Sequence, residues 1–310
     1  MLKIFKSFGG YIEIDKPEKG CWINVTKPTA NEIELLTKDF NVPQDVVRDI
    51  LDADERSRIE HDDDWSLIII RIPVPDKNNG VPYITVPLGI FMTESFTITL
   101  CQVENEVLPY DSPSLYRDSK RQVKDVLNFA LKLFLRTANT YLSYLKYINQ
   151  QTAIIEQDLE KSIRNKELNR LLKMEKCLVF FITSIKANEL VLAKLKNGNR
   201  KSISEINEDL LEDAIIENKQ ALDMAQIYSD IQSGMMDAFA SVISNNLNVV
   251  MKQLASISII LMIPTLVASF YGMNIPNNLE TSRWAFFLIL GISIILALIG
   301  ILIFRKREWF

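Results

Sequence analysis

The chain has 310 residues, 48% hydrophobic and 24% charged, with a formal net charge of −4. That charge excludes a nucleic-acid binder, which needs a concentrated basic surface. It also excludes one uniform globule, because polar and charged residues fill the chain up to Lys252 and apolar ones dominate beyond it.

Met1 to Gly10 lacks the apolar run of a signal peptide, so the N-terminal region is expected in the cytosol. Cys21-Trp22-Ile23-Asn24-Val25 predicts a strand, and Lys27-Pro28 precedes a helix near Asn31. Pro43 breaks the chain, and Asp45–Leu51 suits a short helix. Trp65–Pro73 and Val81–Leu88 read as strands joined by the turn-rich Asp76-Lys77-Asn78-Asn79-Gly80, with another strand over Phe96–Val103. Residues 1–110 are therefore expected to form an α/β domain. Cys21, Cys101 and Cys177 are scattered without CxxC spacing and read as reduced thiols.

Ser114–Asn197 contains no proline and is helical in pattern, so residues 111–200 are expected to form a helical hairpin, broken near Asn165–Asn169. Ser202-Ile203-Ser204-Glu205 is a capping box. No proline follows until Pro264, so one helix could run from Glu205 to Phe270, about 100 Å at 1.5 Å per residue. Its first part, residues 201–253, reads as a stalk with an approximate heptad seam through Leu211, Ile215, Leu222, Tyr228 and Met235.

Leu254–Phe270 and Trp284–Phe304 are uncharged runs of 17 and 21 residues. They cover about 26 and about 32 Å, against a bilayer core of about 30 Å. Both are read as membrane spans. Arg305, Lys306 and Arg307 follow the second span, while the connector 271–283 carries only Glu280 and Arg283. The positive-inside rule puts the basic end 305–310 in the cytoplasm and the connector outside, so both termini are expected in the cytoplasm of a plasma-membrane protein. Two helices cannot enclose a pathway, so conduction requires several copies around an axis.

On the first span, Asn248, Met251, Ala255, Ser258, Met262, Thr265 and Ser269 recur at alternating spacings of 3 and 4. This smaller, more polar stripe suits pore lining or helix packing equally well. It holds no carboxylate, which favours a hydrated cation passing hydroxyls and carbonyls.

Tyr271-Gly272-Met273-Asn274, at the end of the first of two C-terminal spans, resembles the signature of the CorA family of magnesium channels. The likeness extends through Asn248-Val249-Val250-Met251-Lys252-Gln253-Leu254 and the closing Arg305-Lys306-Arg307-Glu308-Trp309. It implies a funnel-shaped homopentamer of α+β membrane subunits: a cytosolic α/β domain, a helical stalk and two transmembrane helices. The first span would line the axis and the second would face lipid. Asn274 and Gly272, with Tyr271 and Met273, would form the outer mouth. Thr265 and Met262 would line the pore, Met251 and Leu254 would constrict it, and Asn248 would form a polar ring below. Magnesium dehydrates reluctantly, and a ring of neutral Asn274 carbonyls can bond its water shell without stripping it.

The resemblance also implies regulatory metal sites between neighbouring subunits. Val47-Arg48-Asp49-Ile50-Leu51 matches one half, with Asp49 as ligand, and Asp213 matches the partner position; Arg48 stands where the family commonly has an acidic residue. Magnesium is thus expected as both cargo and regulator, with cobalt or nickel also carried. A zinc-transporting relative and a non-conducting membrane sensor are the competing readings. No organic cofactor, nucleotide or enzymatic activity is expected, since the chain has no GxxxxGK[ST] loop and its one histidine argues against triads. That histidine, in His61-Asp62-Asp63-Asp64, lies in an acidic run that reads as an exposed turn or a metal site.

Overall fold

The computed structural model describes residues 1–6, 12–76, 80–108, 126–161, 165–197, 207–273 and 284–307. The chain divides into two units, Met1–Ser233 and Gly234–Phe310.

The first unit is built on a six-stranded sheet of β1 (Leu2–Phe5), β2 (Cys21–Thr26), β3 (Arg58–His61), β4 (Trp65–Pro75), β5 (Tyr83–Thr93) and β6 (Phe96–Cys101), ordered β1-β2-β6-β5-β4-β3. The β2–β6 pair is parallel and the other pairs are antiparallel. Side chains alternate across a strand, so the continuous apolar run of β4 serves two cores. Leu67 and Ile69 join Ile23, Val25, Phe91 and Leu100 on one face, under helices α1 (Ala30–Lys38) and α2 (Gln44–Leu51), which add Leu36, Val46, Val47 and Ile50. Ile68, Ile70 and Ile72 join Trp22, Leu88 and Ile90 on the other face. There they meet Phe134 of α3 (Val126–Lys161), Leu192 of α4 (Asn165–Asn197), and Leu211 and Ala214 of α5 (Glu208–Tyr271).

Two strands escaped the sequence reading. Both β1 and β3 have four residues and lie at the sheet's edges, where partners rather than local pattern define the strand. Strand β5 starts later than expected and runs on to Thr93. The hairpin helices change over after Lys161, a few residues before the expected break. The predicted box at Ser202 and Glu205 lies outside the described residues. Helix α5 begins at Glu208, where the Asn207 Oδ1 accepts the N–H of Leu210 at 3.1 Å. All three cysteines are free and buried.

Antiparallel packing of α4 and α5 is held by two buried amides. Asn218 Nδ2 donates to the Ile185 carbonyl at 3.3 Å and Gln232 Nε2 to the Leu171 carbonyl at 2.6 Å. An advance of 14 residues on one helix matches a retreat of 14 on the other.

The second unit holds the remainder of α5, with Pro264 inside it, and α6 (Ala285–Lys306). Both helices are long and apolar enough to cross a membrane. Arg305 and Lys306 are the last residues of α6 rather than a tail beyond it.

Candidate ion pathway and candidate regulatory carboxylates

Within the second unit, α5 and α6 meet where α6 is smallest. A Cβ at Gly300 would stand 3.3 Å from Ile263 Cδ1 and 3.7 Å from Ile260 Cγ1, so a side chain there would press on Ile263. The α5 face toward α6 is thus the one that carries Ile260 and Ile263. Ser258, Met262, Thr265 and Ser269 lie on the opposite side of the helix and are exposed, Met262 at 66%. Asn248, Met251 and Leu254 are exposed as well. The stripe is therefore not used to pack the two spans of one chain together.

The hydroxyls on this face have a definite polarity. Ser258 Oγ donates to the Leu254 carbonyl at 2.9 Å, and Thr265 Oγ1 donates to the Leu261 carbonyl at 3.1 Å. Each proton is spent on the helix's own backbone, so each oxygen turns its lone pairs outward. At these two positions the helix presents acceptor oxygens, which suits the outward-pointing protons of water around a cation.

At the end of α5, Tyr271 is half-buried, and the Gly272 N–H donates to the Ala268 carbonyl at 2.9 Å. A Cβ at Gly272 would sit 3.3 Å from that same oxygen. Met273 follows, exposed. Asn274 lies outside the described residues.

Asp49 lies in the last turn of α2, and its environment differs from that of a free metal ligand. Arg58, on β3, donates through Nη2 to Asp49 Oδ2 at 2.9 Å and through Nε to Glu60 Oε1 at 2.6 Å; its Nη1 bonds Glu55. Burial pulls the Arg58 guanidinium down, but the bond and charge of Glu60, the charge of Glu55 and the bond to Asp49 outweigh it and hold the group above its ordinary value. Arg48 Nε stands 3.9 Å from the other Asp49 oxygen and is 79% exposed. Asp213 is exposed on α5 and makes no ion pair among the described residues.

The loop after Asp49 is tied to the helical layer by a second arginine that sequence reasoning missed. Arg71, on β4, donates to the Ala53, Glu55 and Thr85 carbonyls at 3.0, 2.6 and 2.8 Å, and to Ser184 Oγ of α4 at 3.1 Å. Asn188 of α4 bonds both backbone groups of Arg71 and accepts from Ser57 Oγ at 2.7 Å. Burial lowers the Arg71 pKa, and its hydrogen-bond acceptors are carbonyls and hydroxyls. No local pattern marks these contacts, because the partners lie 14 to 131 residues apart.

His61 ends β3, and its Nδ1 is 2.8 Å from Ser66 Oγ, closing the β3–β4 hairpin. Asp62 and Asp63 form the turn, where Asp62 Oδ1 accepts the Asp63 N–H. Among the described residues no group of three His, Cys, Asp or Glu side chains could hold a metal ion. The acidic run Asp62–Asp64 forms the turn between β3 and β4.

Over residues 17–306 the chain matches the family described as CorA-like Mg2+ transporter protein. It is 24% identical to the cobalt/magnesium transport protein CorA of Methanocaldococcus jannaschii over 93% of this chain and 90% of that protein. It is 23% identical to the protein of the same name from Thermotoga maritima, covering 93% of this chain and 83% of that one. The complete structure of the CorA magnesium transporter from Methanocaldococcus jannaschii superimposes with a TM-score of 0.83, at 22% identity, over 100% of this chain and 99% of that one. A shared soluble α/β region, a long helix and two apolar C-terminal helices join a match across nearly the whole length: the chain belongs to the CorA family of Mg2+ transporters.

Proposed function

We propose that the chain is the subunit of a passive, gated magnesium channel, with cobalt and nickel as secondary cargo. Several copies, five by family resemblance, stand around a common axis in the plasma membrane. The exposed α5 stripe faces that axis, α6 faces lipid, and both termini are cytoplasmic. The observation that carries this reading is the pair of acceptor oxygens of Ser258 and Thr265 on a span ending in Tyr271-Gly272-Met273-Asn274. A hydrated divalent ion presents water protons to its surroundings, and these two hydroxyls offer it acceptor oxygens. Met251 and Leu254 form the apolar constriction, Asn248 the polar ring below it, and Asn274 the outer mouth. No cysteine or histidine lies on the stripe, which favours a hard, oxygen-seeking ion over zinc.

Closure by internal magnesium belongs to the same proposal, with Asp49 of one copy and Asp213 of the next as the carboxylates it bridges. Loss of the ion would leave like charges facing each other and favour opening.

Purified protein in liposomes tests the pore directly. The wild type is expected to admit magnesium, and Asn274→Ala is expected to abolish entry while leaving the oligomer assembled. Normal magnesium entry in that variant would sink the pore-mouth assignment. Parallel zinc flux exceeding magnesium flux would overturn the choice of ion.

A further inference from the structure

We propose that Arg58 is a tethered competitor for the cation at Asp49, so that its displacement sets how much internal magnesium the protein needs in order to respond. This rests on the assignment of Asp49 made above.

A divalent ion requires carboxylate oxygens with free lone pairs, at about 2.0–2.1 Å for magnesium. Arg58 already holds one Asp49 oxygen at 2.9 Å. Ion and guanidinium cannot share that lone pair, and the charges of Arg58 on one oxygen and Arg48 beside the other both oppose a further cation on the same carboxylate. The guanidinium is also well secured. Its three kinds of nitrogen each serve a different carboxylate: Asp49 of α2, Glu55 of the following loop and Glu60 of β3. Its side chain is only 24% exposed. Departure therefore breaks three charge-assisted bonds together.

The arrangement is fitted to a planar cation more than to a metal ion. The three acids reach separate edges of the guanidinium, and among the described residues no group of three acidic, histidine or cysteine side chains converges on one point. Arg71 and Asn188 fix the intervening loop against β4 and α4, so Arg58 and Asp49 are kept together. Arg48 places a second positive charge beside Asp49.

Mutually exclusive binding has a simple consequence. Apparent affinity falls by the fraction of molecules whose site is free. With the guanidinium seated in about nine molecules of ten, magnesium binds about tenfold more weakly than to a bare Asp49.

The test uses the full-length protein in detergent, titrated with magnesium and read by protection from limited proteolysis. Arg58→Gln is expected to lower the protection midpoint by about tenfold or more. Arg58→Lys keeps the charge but loses the fork, so a smaller shift in the same direction is expected, and it decides the matter if the glutamine variant does not fold. Asp49→Asn is expected to remove the response. An unchanged midpoint in the folded Arg58 variants, with Asp49→Asn still silent, refutes the competitor and leaves the Asp49 assignment standing. A wild-type response in Asp49→Asn refutes that assignment itself.

Discussion

At Gly89 of β5, an added methyl group would lie 2.3 Å from Ile50 Cδ1 and 2.6 Å from Ile50 Cγ1. Ile50 is buried and adjoins Asp49, so this glycine is what lets α2 seat its last turn on the sheet. Overpacking a filled core costs about 1–3 kcal/mol. Gly89→Ala is expected to destabilise the protein by that amount in denaturant titrations, and adding Ile50→Ala is expected to cost less than the two single losses combined. Simple additivity would show that the contact is not what constrains the site. Neither partner was legible in the sequence, because they stand 39 positions apart. Asp49 was singled out by family resemblance over five consecutive residues, Val47 to Leu51. Arg58 was not, since its importance comes from acids that a helix, a loop and a strand deliver to it. That the α5 stripe shares one exposed face was legible because helical spacing is local arithmetic.

Caps and edges govern the element scale. Among the described residues, Thr29 and Glu32 form a capping box at the start of α1. Glu32 accepts the Thr29 N–H at 2.8 Å and the Leu2 N–H at 2.7 Å, so one carboxylate both caps a helix and pins strand β1. Burial raises its pKa, but these backbone bonds prevail and hold it below the ordinary 4.5. A lowered folded value means the stabilisation is complete above pH 4.5 and is lost as pH falls through the lowered value. The melting temperatures of wild type and Glu32→Gln should therefore differ at pH 7 and converge as the pH falls well below 4; a gap unaffected by pH would contradict this account. Long elements were legible, since α3, α4 and α5 carry their periodicity over many turns. The order of the strands was not, because the parallel pairing of β2 with β6 joins segments separated by the α1–α2 helices and two hairpins.

On the scale of the whole molecule, one chain supplies a helix with an exposed polar stripe and a second apolar helix, and two helices cannot surround an ion. The spans and their flanking charges were legible from composition, whereas the number of copies in the proposed assembly depends on surfaces that only assembly brings together. In the proposed passive channel, the energy for uptake comes from the ion's own electrochemical gradient. Moving one charge through 100 mV is worth about 2.3 kcal/mol, so a divalent ion gains about 4.6 kcal/mol. At about 1.4 kcal/mol per factor of ten, that sustains an inward accumulation on the order of 10³. Liposomes holding the protein, with an inside-negative potential and no nucleotide, should therefore accumulate magnesium against its concentration gradient. Collapsing the potential should release the excess, and reversing it should drive magnesium out. Uptake that needed nucleotide, or ignored the potential, would rule out a passive pore and point instead to an energised transporter.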